Sequence, residues 1–261
     1  GKNNIPLLIG TDQEGGIVYR LTGGTALPGN MALGATNNLD DAKKAGTIIG
    51  SELHAVGINT NFAPVADVNN NANNPVIGLR SFSSNPQLAA KFTTAYIDGV
   101  HSQKVATTAK HFPGHGNTSG DSHEGSVKTD RTLEEMQAAE FLPFQAGIDA
   151  GTDMVMVGHI SAPGLTDGDA EPASMNEKII TDILRKQLGY NGIVITDAMN
   201  MSAISEYYAA DEAAIKALKA GADMILMPED FVKAYEGVVA AVKDGTIDEN
   251  RINDSLKRVY R

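Results

Sequence analysis

The segment from Lys110 to His123 concentrates side chains that can move protons. Glycines and a proline interrupt the segment, which predicts an irregular loop rather than a helix. Asp121 and His123 lie two residues apart in this loop. The Asp121 carboxylate can therefore accept a hydrogen bond from one ring nitrogen and leave the other free for a substrate oxygen. Because such a carboxylate also favours the imidazolium form, we predict that His123 donates a proton and later takes one back.

A second candidate group is the carboxylate of Asp197, which directly follows the apolar run Ile193–Ile195 and Thr196. A carboxylate held rigidly at the end of a strand can attack an electrophilic carbon. Hydrolysis of a glycosidic bond with retention of configuration needs such a nucleophile. The ordinary alternative for an aspartate in this position is to cap the following helix.

Polar side chains follow the other apolar runs of the sequence in the same way. They are Asp12 and Glu14, Asp67 and Arg80, Lys110 and His111, and His159. In parallel α/β folds the active site lies at the carboxyl ends of the strands, where the loops converge. The pattern therefore predicts one catalytic site at this end of a sheet, where Arg20, Arg80 and Lys110 could bind sugar hydroxyls or neighbouring carboxylates.

The elements that would position these groups are short apolar runs alternating with stretches of helical period. The runs are Leu7–Ile9, Ile58–Phe62, Val105–Ala109, Met154–Val157, Ile193–Ile195 and Met224–Met227. Unbroken apolar runs predict strands buried on both faces, and strands separated by helices predict a mainly parallel sheet. Among the helix boundaries, Thr132 with Glu135 predicts a capping box, and Asp211 with Gly221 predicts the two ends of a later helix. An open, doubly wound sheet is the structural alternative to a closed barrel.

The composition of the chain limits the classes of function that it can have. The chain has 261 residues, of which 42% are hydrophobic and 20% charged, so we predict one large folded domain spanning residues 1–261. The formal net charge of -11 argues against a nucleic-acid surface. Without cysteine, disulfides and thiolate metal sites are excluded. No apolar run reaches the roughly 18 residues of a membrane span, and no signal peptide is visible. The cellular compartment is left open.

Together these residues resemble glycoside hydrolase family 3, specifically its β-N-acetylglucosaminidase branch. The motifs that carry the resemblance are Asp12-Gln13-Glu14-Gly15-Gly16 with Arg20, Gly78-Leu79-Arg80-Ser81-Phe82, Lys110-His111-Phe112-Pro113-Gly114-His115-Gly116, Asp121-Ser122-His123 and Thr196-Asp197-Ala198-Met199. They follow the family's order and span most of the chain.

The resemblance implies a (β/α)8 TIM-type barrel and a two-step retaining mechanism without cofactor or metal. It assigns Asp197 as the nucleophile, His123 as the acid/base and Asp121 as its orienting partner. Positions that grip the terminal sugar are Asp12, Arg20, Arg80, Lys110 and His111. The expected substrate is an oligosaccharide with a terminal β-linked N-acetylglucosamine, derived from cell wall or chitin.

Two departures from the family pattern stand beside the resemblance. Ile17 occupies a position where many relatives have arginine, and from the resemblance we expect the family's first βα unit to be missing before Ile5. Three other functions remain open. A phosphorylase would use the same residues, a sugar-binding module would have lost catalysis, and a metal hydrolase would use His111, His115, Asp121 and His123 as ligands.

Overall fold

The computed structural model describes residues 5–121 and 123–261, and its strands are short. They are β1 (Gly10–Thr11), β2 (Thr60–Asn61), β3 (Thr108–Phe112), β4 (Val127–Lys128), β5 (Met154–Val157), β6 (Ile160–Ser161) and β7 (Ile193–Thr196). Five of these strands lie at or directly after the apolar runs predicted from the sequence. The small parallel pair of β4 and β6 was not predicted.

The described strand pairings are parallel, and they follow chain order except that β4 and β6 form a separate pair. β1 pairs with β2 in the register of Gly10 with Thr60, and an isolated bridge from Thr60 to Ala106 continues toward β3. β3 pairs with β5, and β5 pairs with β7. A further parallel bridge joins Ile195 to Met224, so the last predicted apolar run lies beside β7. The fold is therefore α/β with parallel sheets.

Helices separate most of these strands. They are α1 (Asn30–Ala35), α2 (Leu39–Ala55), α3 (Pro86–His101), α4 (Leu133–Ala138), α5 (Phe141–Asp149), α6 (Ser202–Ser205), α7 (Ala210–Ala220), α8 (Phe231–Lys243) and α9 (Glu249–Val259). A π-helical segment, Lys178–Gln187, connects to β7. The predicted capping box is confirmed, because Thr132 accepts from the Glu135 N–H while the Glu135 side chain accepts from the Thr132 N–H. The predicted end of α7 at Gly221 is confirmed, but the predicted start at Asp211 is wrong by two residues, because Ala209 is the N-cap. Asp211 lies in the first turn, where its negative charge is favourable at the positive end of the helix.

The central strands are buried on both faces, as predicted. Val155 and Val157 of β5 pack into the layer of α5, α7 and the π-helical segment. Met154 and Met156, at the alternating positions of the same strand, pack with residues of β7 and with Val259 on the other face. The helices thus cover one side of the sheet, and the opposite side carries a second apolar cluster.

The expected closed eight-stranded barrel is not seen in the described residues. No described pairing joins β1 to residues 224–227, the two ends of the strand order. A cavity of about 440 Å³ lies between these ends, lined by Leu8, Phe62 and Met224 among others. The physical reason is the number of neighbouring strands. The described pairings and bridges connect six of them, from β1 to the segment at Met224, and a closed barrel of this type needs eight. Within the described residues, no helix is both long and apolar enough for a bilayer crossing.

Candidate active site

Four charged side chains meet where β1 and β3 end. Lys110 lies on β3 and is 2% exposed; its Nζ is 2.8 Å from Asp12 Oδ1 and 2.8 Å from Glu14 Oε1. Arg80 makes a two-point contact with Glu14, with Nε at 3.0 Å and Nη2 at 2.8 Å from the two carboxylate oxygens. β3 thus directs Ala109 into the helix layer and Lys110 to the opposite side.

These contacts keep Glu14, Arg80 and Lys110 charged at neutral pH. Burial alone would raise the pKa of Glu14, but Lys110 and Arg80 lower it to about 2. Burial would lower the Lys110 pKa, and the charges of Glu14 and Asp12 raise it above its ordinary value. The Glu14 carboxylate therefore serves as the buried counter-ion that holds Arg80 and Lys110 in place.

His111 follows Lys110 and contacts a fully buried carboxylate. Its Nδ1 lies 2.8 Å from Asp67 Oδ2, and the side chain of Asp67 is 0% exposed. Burial lowers the pKa of His111 well below its ordinary value, although the charge of Asp197 opposes this shift. His111 is therefore neutral at neutral pH and acts as a hydrogen-bonding group rather than as a cation.

Asp197 lies one residue beyond β7, as predicted. Its backbone N–H donates to the Val157 carbonyl at 2.9 Å, which holds it at the end of the sheet, and its Oδ1 accepts from the Ala198 N–H at 2.8 Å. Burial raises the pKa of Asp197, but His111, His159 and the Ala198 N–H lower it, and the net shift is downward. The carboxylate is thus ionised at neutral pH, as a nucleophile requires.

The charge of Asp197 also acts on Arg80 and His111, so the groups that follow β1, β3 and β7 share one site. His159 belongs to it as well. Its Nε2 lies 2.8 Å from the Ala198 carbonyl oxygen and its Nδ1 2.7 Å from Ser174 Oγ. Burial lowers the pKa of His159 despite the nearby Asp197. A neutral imidazole therefore supports the backbone next to Asp197.

The Asp121 and His123 side chains form the predicted pair. Asp121 Oδ1 lies 2.7 Å from His123 Nδ1 and also accepts from the His123 N–H at 2.9 Å. Burial raises the pKa of Asp121, but the two hydrogen bonds from His123 outweigh it and the pKa is lowered. The His123 side chain is 59% exposed, and its charge acts on His159 beside Asp197. Ser122, between them in the motif, lies outside the described residues.

Among the predicted sugar-binding residues, Arg20 lies apart from the group that Lys110 forms with Asp12, Glu14 and Arg80. Its side chain is exposed, and its described hydrogen bond is to the Tyr19 carbonyl oxygen at 3.1 Å. With Asp12 it lines the cavity between β1 and residues 224–227. Asp12, Arg80, Lys110 and His111 do lie together.

The prediction from sequence placed Asp67 and His159 among the polar residues at the strand ends but assigned neither of them a role. Both are buried, and their roles depend on contacts across the sheet. For the metal-hydrolase alternative, residues 5–121 and 123–261 contain no group of three or more His, Asp or Glu arranged to hold an ion.

Comparison with known proteins now identifies the family. The family model described as the glycosyl hydrolase family 3 N terminal domain matches residues 1–261. This chain belongs to glycosyl hydrolase family 3. It is 39% identical over 284 residues to a beta-hexosaminidase A of Pseudoalteromonas piscicida, covering 100% of this chain and 48% of that protein. It is also 39% identical to a beta-hexosaminidase of Stenotrophomonas maltophilia, covering 89% and 71%.

Among solved structures, a family 3 beta-N-acetylglucosaminidase from Paenibacillus sp. str. FPU-7 is similar at a TM-score of 0.95 and 45% identity, covering 98% of this chain and 49% of that one. The chain spans about half the length of the Pseudoalteromonas and Paenibacillus proteins. The family 3 resemblance predicted from the sequence motifs is thereby confirmed.

Proposed function

We propose that this chain is the catalytic part of a retaining exo-β-N-acetylglucosaminidase. It would remove terminal, non-reducing, β-linked N-acetylglucosamine from oligosaccharides derived from cell wall or chitin. The observation that carries the proposal is the ionised carboxylate of Asp197 at the end of β7, facing the charge cluster of Arg80 and Lys110. The names of the relatives, beta-hexosaminidase and beta-N-acetylglucosaminidase, support the substrate class.

In the proposed mechanism, His123 protonates the bridging oxygen while Asp197 attacks the anomeric carbon. The bond to the leaving sugar breaks and a covalent glycosyl-aspartate forms. His123 then takes a proton from water, and the resulting attack at the anomeric carbon releases the sugar with its β configuration. Asp121 aims the imidazole through its contact with Nδ1. No metal or cofactor takes part in these steps.

The remaining predicted residues would hold the sugar. Lys110 and Arg80 are charged donors fixed by Glu14, Asp12 can accept from hydroxyl groups, and neutral His111 can do the same. Arg20 would bind from the rim. We also propose that the strand order belongs to a (β/α)8 barrel forming one catalytic domain over residues 1–261. The parallel pairing in chain order and the helices on one side support this arrangement.

The direct test is release of nitrophenol from p-nitrophenyl N-acetyl-β-glucosaminide. Asp197→Asn should lose more than about a thousandfold in kcat, as is typical when a nucleophile is removed. Asp130→Asn, at an exposed carboxyl, should retain activity and serves as the matched control. A slow fluorinated glycosyl substrate should label Asp197, as read by mass spectrometry of the peptides. Labelling of a different residue would refute the nucleophile assignment.

Further measurements test the acid/base role of His123 and distinguish the proposed hydrolase from the competing functions. His123→Ala should lose far more activity on alkyl glycosides than on nitrophenyl glycosides, because the activated leaving group needs little protonation; equal losses would contradict the acid role. Products analysed with and without phosphate distinguish a hydrolase from a phosphorylase, which would form the sugar 1-phosphate. Sugar binding without turnover would indicate a binding module.

A further inference from the structure

We propose that Asp67 is a positioning residue, which acts by fixing the tautomer of His111 so that its Nε2 accepts a hydrogen bond from a hydroxyl group of the bound sugar. This inference rests on the proposed function, because it concerns how that site holds its substrate. Asp67 is not among the residues that the sequence motifs assign to catalysis or to sugar binding. Its place in the structure gives it one specific task.

The Asp67 carboxylate is surrounded by three donors from one turn. Oδ1 accepts from the His115 N–H at 2.7 Å and from the His111 N–H at 3.2 Å. Oδ2 lies 2.8 Å from His111 Nδ1. The segment that carries Asp67 runs alongside β3, with the Ala66 N–H donating to the Lys110 carbonyl at 2.7 Å. The carboxylate is thus held rigidly on the buried side of the His111 ring.

This arrangement determines which ring nitrogen of His111 carries the proton. An ionised carboxylate can only accept, so Nδ1 must be the protonated nitrogen and Nε2 must present a lone pair. Within the described residues, Nε2 of His111 makes no hydrogen bond, and the side chain is 7% exposed. Because Asp67 occupies Nδ1, Nε2 is the ring nitrogen left for a ligand, and the charge of Asp197 acts on the same ring.

The charges around the pair keep it in this state near neutral pH. Burial raises the pKa of Asp67 to about 6, while the His115 charge, the His115 and His111 N–H groups and the Arg80 charge oppose the rise. His111 itself faces Asp197, Arg80, Lys110 and His115, and its burial keeps it neutral. At pH 7.5 the pair therefore consists of an ionised Asp67 and a neutral His111.

An alternative role for Asp67 is purely structural, namely to satisfy the two backbone N–H groups of the turn. Asp67→Asn separates the two roles. The amide oxygen must take the Oδ1 position to accept from the His115 N–H, which puts the NH₂ group against His111 Nδ1. Two donors cannot face each other, so the proton on His111 moves to Nε2. The turn keeps its partner, but the sugar hydroxyl loses its acceptor.

The first measurement is the tautomer of His111, read from imidazole ¹⁵N shifts and two-bond couplings in protein labelled with ¹⁵N-histidine at pH 7.5. The wild type should show Nδ1–H and Asp67→Asn should show Nε2–H, with His111→Gln used to assign the signal. This measurement does not depend on activity. Nε2–H in the wild type would overturn the inference even if the Asp67 variant did not fold.

The second measurement is kcat/KM on p-nitrophenyl N-acetyl-β-glucosaminide. Asp67→Asn should lose about 10–100-fold, since a misdirected donor faces the sugar. In a His111→Gln background the same substitution should cost less than about twofold, because it acts only through that ring. Asp153→Asn is the matched control, because Asp153 pairs with His101 at 2.8 Å before β5, at the other end of the sheet. It should retain wild-type activity.

The outcomes distinguish this inference from the proposed function. If the wild type were inactive but showed the Nδ1–H tautomer, the proposed glycosidase activity would be refuted. The role of Asp67 in setting the His111 tautomer would still be supported. An active wild type whose Asp67→Asn variant keeps both its rate and its Nδ1–H tautomer would refute the inference alone. Equal losses from Asp67→Asn with and without His111 would also refute it, since the carboxylate would then act through another group.

Discussion

At the scale of single residues, two buried carboxyl groups in one site are pushed in opposite directions. The pKa of Glu14 falls to about 2 because Lys110 and Arg80 contact it directly. The pKa of Asp67 rises to about 6 because burial outweighs the His115 charge, the His115 and His111 N–H groups and the Arg80 charge, which oppose the rise. Glu14 is therefore a fixed counter-ion for Arg80 and Lys110, whereas Asp67 is proposed to set the tautomer of the neutral His111 ring. The type of neighbour, rather than the depth of burial, separates the two roles.

The low pKa of Glu14 predicts a specific dependence of stability on pH. A carboxyl group whose pKa is depressed in the folded state stabilises the fold above its ordinary pKa of 4.5, and this contribution disappears as the pH falls toward about 2. The shift corresponds to about 3 kcal/mol at neutral pH. Glu14→Gln should therefore be less stable than the wild type at pH 7, and the difference should shrink between pH 5 and pH 2.

Urea denaturation across this pH range measures the effect. Glu134→Gln, at an exposed position in α4, should change the free energy of unfolding by less than about 0.5 kcal/mol at every pH. A constant difference between wild type and Glu14→Gln over the whole range would mean that the glutamate contributes packing rather than charge.

At the scale of elements, the pair α2 and α3 depends on glycines at their contact. A methyl group at Gly99 would overlap with the Lys43 carbonyl oxygen and lie 2.9 Å from the Thr47 nitrogen. Gly46, on the facing helix, lies against the backbone of α3 in the same way. Two backbones that approach this closely leave no room for a side chain.

We therefore predict that Gly99→Ala lowers the free energy of unfolding by about 1–3 kcal/mol, because overpacking outweighs the gain in helix propensity. Chemical denaturation of the two proteins gives the value. Asp98→Ala changes the neighbouring, exposed position of the same helix and should stay within about 0.5 kcal/mol of the wild type. Should Gly99→Ala be as stable as Asp98→Ala, the helices would have to separate without cost.

The elements were predicted well where the sequence pattern is local. The runs at Met154–Val157 and Ile193–Ile195 became β5 and β7, and the capping box at Thr132 is present. The π-helical winding of Lys178–Gln187 was not predicted, because its apolar spacing also fits an ordinary helix. Asp67 and His159 were expected at the strand ends, but their roles were not predicted, since these depend on partners 44 and 39 residues away. Sequence spacing does not report such contacts.

At the scale of the whole molecule, one buried carboxylate joins three elements at the end of the sheet opposite Asp197. Asp223 is 0% exposed and pairs with Arg185 of the π-helical segment at 2.6 Å and with Arg258 of α9 at 2.9 Å. It also accepts from the Val194 N–H of β7 and from Ser255 of α9. The end that carries Asp197 thus holds the groups proposed to act on substrate, and the opposite end carries the contacts that hold the last helix on the sheet.

Asp223→Asn should separate stability from catalysis. Without the carboxylate, Arg185, Arg251 and Arg258 lose a shared counter-ion in a partly buried setting, and we expect a loss of about 3–5 kcal/mol in the free energy of unfolding. Burial and the charge of Arg258 lower the pKa of Arg185, and the charge of Asp223 only partly opposes this shift. Removal of the Asp223 charge therefore leaves the Arg185 guanidinium poorly compensated.

Asp254→Asn provides the comparison, because Asp254 pairs with Lys257 at 3.2 Å on the exposed side of α9 and should contribute less than about 0.5 kcal/mol. Well below the unfolding temperature, Asp223→Asn should keep the kcat of the wild type, since its contacts lie at the end of the strands away from Asp197. A fall in kcat with unchanged stability would mean that the two ends of the sheet are coupled. The division of the molecule into a catalytic end and a stabilising end would then be wrong.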